Sequence, residues 1–250
     1  MASQLQRVVV ITGASRGLGL EWVKQLSQDP NNFVVAVVRN PDKADLLAPL
    51  LGPRVVSVQG DVADINSFPR VAKEIAKVGG GKVDLLINNA GIMQETGASP
   101  SIGISKSTVG EWEQQFRVNV LGLVFFTIAL IPLLEKSSEK RVINVTSFLG
   151  DLRFTEENPE LHFSSYSATK AAVTMANAKF HIEYKSKGFI FLALNPGWAN
   201  TDLAGETAGS YAPLQADESI SRCLSFVNRS TINDSGKFWS LDGNPEGVSH

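Results

Sequence analysis

Short β-branched apolar runs alternating with segments of helical spacing constrain this chain more than any other feature. Arg7 to Thr12 is one such run, ending in glycine, and Gly17 to Asp29 then carries Leu18, Trp22, Val23 and Leu26 on one helical face. Phe33 to Val38 is continuously apolar, as in strands buried on both faces of a parallel sheet. The alternation continues with a predicted helix near Lys43 to Leu50, a strand at Arg54 to Gln59, a helix at Ile65 to Val78 and a strand at Val83 to Asn88. A long helix over Thr108 to Lys136 follows, which Pro132 should bend or interrupt. Strand Arg141 to Thr146, a helix from Ser165 to Lys187, strand Phe189 to Leu194, a helix near Ala216 to Asn228 and a strand near Lys237 to Leu241 complete the pattern. Regular βαβ alternation implies an α/β, doubly wound parallel sheet of about seven strands with helices on both faces.

Residues 1–250 read as one domain, because no linker or low-complexity stretch interrupts them and Gly79-Gly80-Gly81 suits a helix-to-strand turn. A formal charge of -2 gives no reason to expect nucleic acid as a partner. Val118 to Leu134 carries Asn119, Gly122 and Pro132 and is shorter than the ~20 apolar residues of a membrane span, so a buried core helix is expected and no membrane contact. Cys223 is the only cysteine, which excludes an internal disulfide and suits an apolar filler. His162, His181 and His250 lack metal-ligand spacing, and no metal site is expected. Met1 to Gln6 is too short and polar for a signal peptide, and a cytoplasmic location is expected.

The chemistry concentrates around Ser165-Tyr166-Ser167-Ala168-Thr169-Lys170. On a helix, Tyr166 and Lys170 stand at i and i+4, a phenol and an ammonium on one face. A close ammonium favours the phenolate and should pull the phenol pKa down toward the working range. Ser147, at the end of the neighbouring strand, offers a hydroxyl to the same substrate oxygen. Near the N-terminus, the turn Thr12 to Gly19, with Gly13, Ser15, Arg16, Gly17, Leu18 and Gly19, brings backbone N–H groups and a helix start to a pyrophosphate. The second strand ends in Arg39, with no carboxylate where an NAD-specific fold grips the ribose 2'-hydroxyl. Arg39 and Arg16 suit a 2'-phosphate instead, which points to NADP(H) rather than NAD(H).

Together with Asn88-Asn89-Ala90-Gly91, Asn119 and Asn195-Pro196-Gly197 with Thr201, these motifs follow one another in an order that resembles the classical short-chain dehydrogenase/reductase family. The resemblance covers nearly the whole chain and implies a Rossmann-type fold and NADP(H)-dependent interconversion of a carbonyl and an alcohol. It implies that Tyr166 is the acid/base, that Ser147 positions the oxygen, that Lys170 tunes the tyrosine and holds the ribose, and that Asn119 bends its helix and holds a water in a relay through Lys170. It further assigns Asp61 to the adenine amino group with Val62 beside it, and Asn89, Ala90 and Gly91 to the cofactor ribose. Pro196, Gly197, Trp198 and Thr201 then lie along the nicotinamide. Asp61 also reads as a loop carboxylate, with Asp64 the better helix cap. A homodimer or homotetramer on the long helices that include Asn119 and Tyr166 is a further implication.

Three segments, 92–107, 148–165 and 198–213, follow strands and suit lids or pocket walls. Phe148, Leu149, Phe163, Trp198, Leu203 and Tyr211 would line an apolar pocket, which favours a bulky hydrophobic carbonyl substrate of the carbonyl reductase or ketoreductase kind. A non-catalytic NADP(H)-sensing protein is the competing reading, but it has no need of the phenol, ammonium and hydroxyl together.

Overall fold

The computed structural model describes residues 7–93, 103–204 and 212–246. Strands β1 (Arg7–Thr12), β2 (Asn32–Val38), β3 (Val55–Gln59), β4 (Leu85–Asn88), β5 (Arg141–Val145), β6 (Ile190–Asn195) and β7 (Phe238–Ser240) form one parallel sheet in the order β3-β2-β1-β4-β5-β6-β7. Strand order reverses between β1 and β4, so the crevice beyond their carboxyl ends is the topological switch point where ligands bind such sheets.

Helices cover both faces, which is why the strands read as unbroken apolar runs. Val9 and Ile11 face α1 (Gly17–Gln28) and a late helix, Ala216–Arg229, through Trp22, Val23, Ile220 and Cys223. Val8 and Val10 face the opposite layer with α2 (Phe68–Val78), through Val71, Ile75, Phe126 and Leu130. Val118 to Leu134 is accordingly a core helix in this layer. Cys223 is the expected apolar filler, and burial pushes its thiol up to about 12.

The long helix is α3 (Val109–Gln115), a π-helical stretch (Phe116–Gly122) and α4 (Leu123–Leu134). Its irregularity lies around Asn119 and not at Pro132, which sits in the last turn of α4 and costs only one hydrogen bond there. Thr108 caps α3 in a reciprocal box with Glu111. Other expectations are corrected. Lys43 to Leu50 is not a helix but two 3₁₀ turns, Pro41–Lys43 and Ala48–Leu50, because Pro49 has no N–H to extend an α-helical ladder. Ile65–Ser67 is also 3₁₀, α2 begins only at Phe68, and Asp64 makes no side-chain cap bond. Segment 148–165 is partly helical, with a 3₁₀ turn at Phe148–Gly150 and α5 at Leu152–Glu157, before α6 (Ser164–Tyr184). Residues 94–102 and 205–211, including Tyr211, lie outside the described residues.

A ladder of buried amides joins the sheet to its helices. Asn88 Nδ2 donates to Thr127 Oγ1 at 2.8 Å and to Asn144 Oδ1 at 2.9 Å, and Asn144 Nδ2 donates to Asn177 Oδ1 of α6 at 3.0 Å. The ladder holds α6 against β4 and β5, and α6 carries Tyr166 and Lys170.

Candidate active site

Strand β5 runs into Ser147, whose extended backbone starts the 3₁₀ turn and whose Oγ accepts from Leu149 N at 3.2 Å. Phe163, in the left-handed region at φ 31°, turns the chain into α6. The first turns of α6 then set Tyr166 and Lys170 one above the other, with Lys170 Nζ 5.4 Å from the phenol ring centroid. Lys170 Nζ donates to the Val145 carbonyl at 3.0 Å, and Thr146 Oγ1 donates to the Lys170 carbonyl at 3.0 Å. The end of β5 and the face of α6 that bears Tyr166 are thereby fastened at Lys170, with Ser147 beside the joint.

Burial governs both titrating groups. It brings the Lys170 ammonium down to about 8 and pushes the Tyr166 phenol above its ordinary value. The expectation that Lys170 depresses the phenol is therefore corrected: both side chains are buried, and the cost of desolvating a phenolate prevails. Tyr166 is held as a neutral phenol at physiological pH, the form that can donate a proton.

Asn119 is buried in the π-helical stretch and its amide is committed to neighbours. Oδ1 accepts from Ile92 N at 2.8 Å, and Nδ2 donates to the Ile92 carbonyl at 2.9 Å and to Thr169 Oγ1 at 3.1 Å. Thr169 Oγ1 in turn donates to the Tyr166 carbonyl at 2.7 Å. The side chain thus clamps the segment after β4 to α6. Asn119 Oδ1 and Lys170 Nζ both border Gly91, at 3.4 and 3.7 Å from where a Cβ there would sit.

The glycine turn after β1 closes under the start of α1. Gly13 (φ 67°) donates its N–H to the Val37 carbonyl at 3.1 Å, and a Cβ on it would stand 2.8 Å from Ala90 Cα. Gly19 packs on the Gly13 carbonyl and on Asn89, leaving no room for a side chain. Asn89 N and Ala90 N both donate to Thr12 Oγ1 at 3.1 Å, and Asn89 Nδ2 donates to the Thr12 carbonyl at 3.1 Å. In the structure, Asn89 and Ala90 therefore brace the turn. At the mouth, α1 has no side-chain cap and no acidic residue in its first turn. Its amides and dipole are aimed at the crevice, an arrangement that fits a dinucleotide pyrophosphate.

Ser15, Arg16 and Gly17 line that mouth, while Leu18 packs on the core. Arg39 is exposed directly after β2, and Arg16 is exposed with Nη1 3.9 Å from Asp202 Oδ2. Thr201 lies 3.7 Å from where a Cβ on Gly17 would be, so the segment after β6 reaches the turn after β1. Asp61 Oδ1 accepts from Ala63 N at 2.9 Å, which orients the carboxylate beyond β3, and the Val62 carbonyl rests on Gly122. Gly197 (φ 76°) donates its N–H to Asn195 Oδ1 at 3.0 Å, Pro196 accepts from Ser219 Oγ at 2.7 Å, and Trp198 is exposed. Every described candidate residue stands at the carboxyl edge of the sheet or on α6 and the π-helical stretch above it.

Several residues of the site escaped sequence reading. Thr12 and Thr169 are hydroxyls inside the recognised motifs, visible as types though not as braces. Gln115, which donates to Ser165 Oγ at 2.5 Å, and Glu246, whose carboxylate accepts from Asn195 Nδ2 at 2.9 Å, carry no local signal.

The family model described as short chain dehydrogenase matches residues 7–211. The short-chain dehydrogenase/reductase AacuF of Aspergillus aculeatus is 32% identical, with 95% of this chain and 98% of that protein covered. The short-chain dehydrogenase/reductase atnB of Arthrinium sp is 31% identical over 93% of this chain and 96% of its own length. Among solved structures, NADPH-bound carbonyl reductase from chicken fatty liver aligns with a TM-score of 0.87 at 28% identity, over 97% of this chain and 99% of that one. Carbonyl reductase Sniffer of D. melanogaster shares the fold with a TM-score of 0.87 at 23% identity, over 98% and 100% of the two chains.

Proposed function

The chain belongs to the short-chain dehydrogenase family, and from that premise we propose that it is an NADP(H)-dependent oxidoreductase that interconverts a bulky hydrophobic ketone or aldehyde and its alcohol. The observation that carries this reading is the joint at Lys170, which brings the end of β5 with Ser147 against the face of α6 that bears Tyr166. Preference for NADP(H) is supported by Arg39 and Arg16 at the crevice, where guanidinium donors suit a 2'-phosphate, and by the NADPH that the chicken carbonyl reductase holds.

A bound dinucleotide would supply the hydride, and with it the electron pair. The chain's residues do the rest. Tyr166 Oη donates its proton to the alkoxide oxygen as it forms, and Ser147 Oγ donates a hydrogen bond to that same oxygen. Lys170, in its charged form below about pH 8, offsets the phenolate left behind and holds the ribose. Asn119 holds the floor of the site by joining Ile92 to α6. Phe148, Leu149, Phe163, Trp198 and Leu203 supply apolar surface around the mouth.

A homodimer or homotetramer on the long helices fits the exposed Leu121, Phe125 and Ile128 before and within α4 and Met175 and Ile182 on α6. A reducing compartment such as the cytoplasm suits a chain whose only cysteine is buried. The test is consumption of NADPH and of NADH against aliphatic, aromatic and small charged carbonyls. The reading expects NADPH-dependent turnover of the bulky apolar set, and turnover confined to small charged ketones or to NADH would contradict it.

A further inference from the structure

Ser147 stands between two points at which its own segment touches α6. On one side, Thr146 Oγ1 donates to the Lys170 carbonyl at 3.0 Å and lies 3.2 Å from Thr174 Oγ1. On the other, the turn closes through Gly150 N to the Ser147 carbonyl at 3.0 Å, and Gly150 rests on the helix itself. A Cβ there would stand 2.5 Å from Ala171 N, 2.6 Å from the Lys170 carbonyl carbon and 2.9 Å from Lys170 Cβ. Two of those three atoms are main chain of a 21-residue helix, which cannot swing aside as a long side chain would. Gly150 is absent from the glycines at positive φ, so the backbone conformation does not demand glycine at this position. The close approach does.

We propose that Gly150, with Thr146 at the other end of the same segment, is a positioning residue that sets the gap between the Ser147 hydroxyl and the Tyr166 phenol. It does so by letting the turn after β5 seat directly on the α6 backbone at Lys170 and Ala171, one helical turn beyond Tyr166. The inference rests on the reading of Ser147 and Tyr166 as partners on one substrate oxygen. Alanine at 150 must move the turn or the helix from 2.5 Å to an ordinary contact of 3.4 Å, a retreat of about 0.9 Å. Misplacement of about 1 Å costs reacting groups on the order of a hundredfold in rate.

The test is a double-mutant cycle in the full chain. Gly150→Ala should lower kcat by about tenfold to a hundredfold while NADPH affinity, titrated by cofactor fluorescence, stays within about twofold. In a Ser147→Ala background the same change should cost less than about threefold, since no hydroxyl remains to be misplaced. Equal losses in the two backgrounds, or no loss in the wild type, overturn the inference. Should Gly150→Ala give no cooperative melt, Thr146→Val makes the same test. It keeps the side-chain shape, removes the donor to Lys170, and should lower kcat only where Ser147 is present; equal losses or none overturn the inference again. A wild type without NADPH-dependent carbonyl turnover defeats the proposed function. Turnover that requires Tyr166 and Ser147 yet ignores Gly150 and Thr146 defeats this inference alone.

Discussion

Replacing Lys170 with methionine should abolish turnover and yet, at neutral pH, leave the fold about as stable as before. The ammonium is buried, and desolvation brings it from the ordinary lysine value of 10.5 to about 8. Between those two values the folded chain binds fewer protons at this site than the unfolded chain does. The site therefore opposes folding below about pH 8, and that penalty lifts as the pH rises toward 10.5. At about 1.4 kcal/mol for each tenfold in proton affinity, the full penalty is about 3 kcal/mol. Methionine escapes it but gives up the bond from Nζ to the Val145 carbonyl, which for a charged donor is worth about 1.5–3 kcal/mol. The two terms nearly cancel at about pH 7. Urea denaturation of both proteins at about pH 7 and about pH 10.5 measures the difference. The stability of the variant relative to the wild type should fall by about 3 kcal/mol between them. A difference that does not change with pH would show that Lys170 titrates alike in the folded and unfolded chains, and would refute the reasoning.

Three further outcomes follow from the geometry. Arg39→Ala should weaken NADPH binding by about tenfold to a hundredfold, the worth of a charge-assisted contact, and leave NADH binding within about twofold, as cofactor fluorescence titrations would show. Gly19→Ala drives a methyl into the Gly13 carbonyl and Asn89, and should destabilise the protein by about 2–3 kcal/mol and remove dinucleotide binding, read by thermal melting with and without NADPH. Asn177→Leu leaves Asn144 Nδ2 without its buried acceptor and should cost about 1–3 kcal/mol in chemical denaturation.

The strands and the glycine turn were legible because burial on both faces writes itself as uninterrupted apolar runs, and because glycine is the residue that fits at Gly13 and Gly19. Elements that depend on a competing local rule were less so. Lys43 to Leu50 has helical composition, but Pro49 breaks the ladder into 3₁₀ turns. Pro132 suggests an irregularity by its own chemistry and makes none, whereas the π-helical stretch forms around Asn119, the bend that the family resemblance implies, and its partners Ile92 and Thr169 lie 27 and 50 residues away. The residue types of the site and their order could be read directly. Their electrostatics could not, since the rise in the Tyr166 pKa comes from burial that no local pattern records. Glu246 illustrates the same limit, reaching Asn195 across 51 residues.

Tyr166 is the proton donor of the proposed reaction. The direct measurement is the rate of NADPH oxidation with a bulky aromatic ketone for the wild type and for Tyr166→Phe, with cofactor affinity and melting temperature measured on the same samples. Loss of general acid catalysis should lower kcat by about a hundredfold to ten-thousandfold with NADPH affinity and melting little changed. Undiminished turnover by the phenylalanine variant would contradict the account.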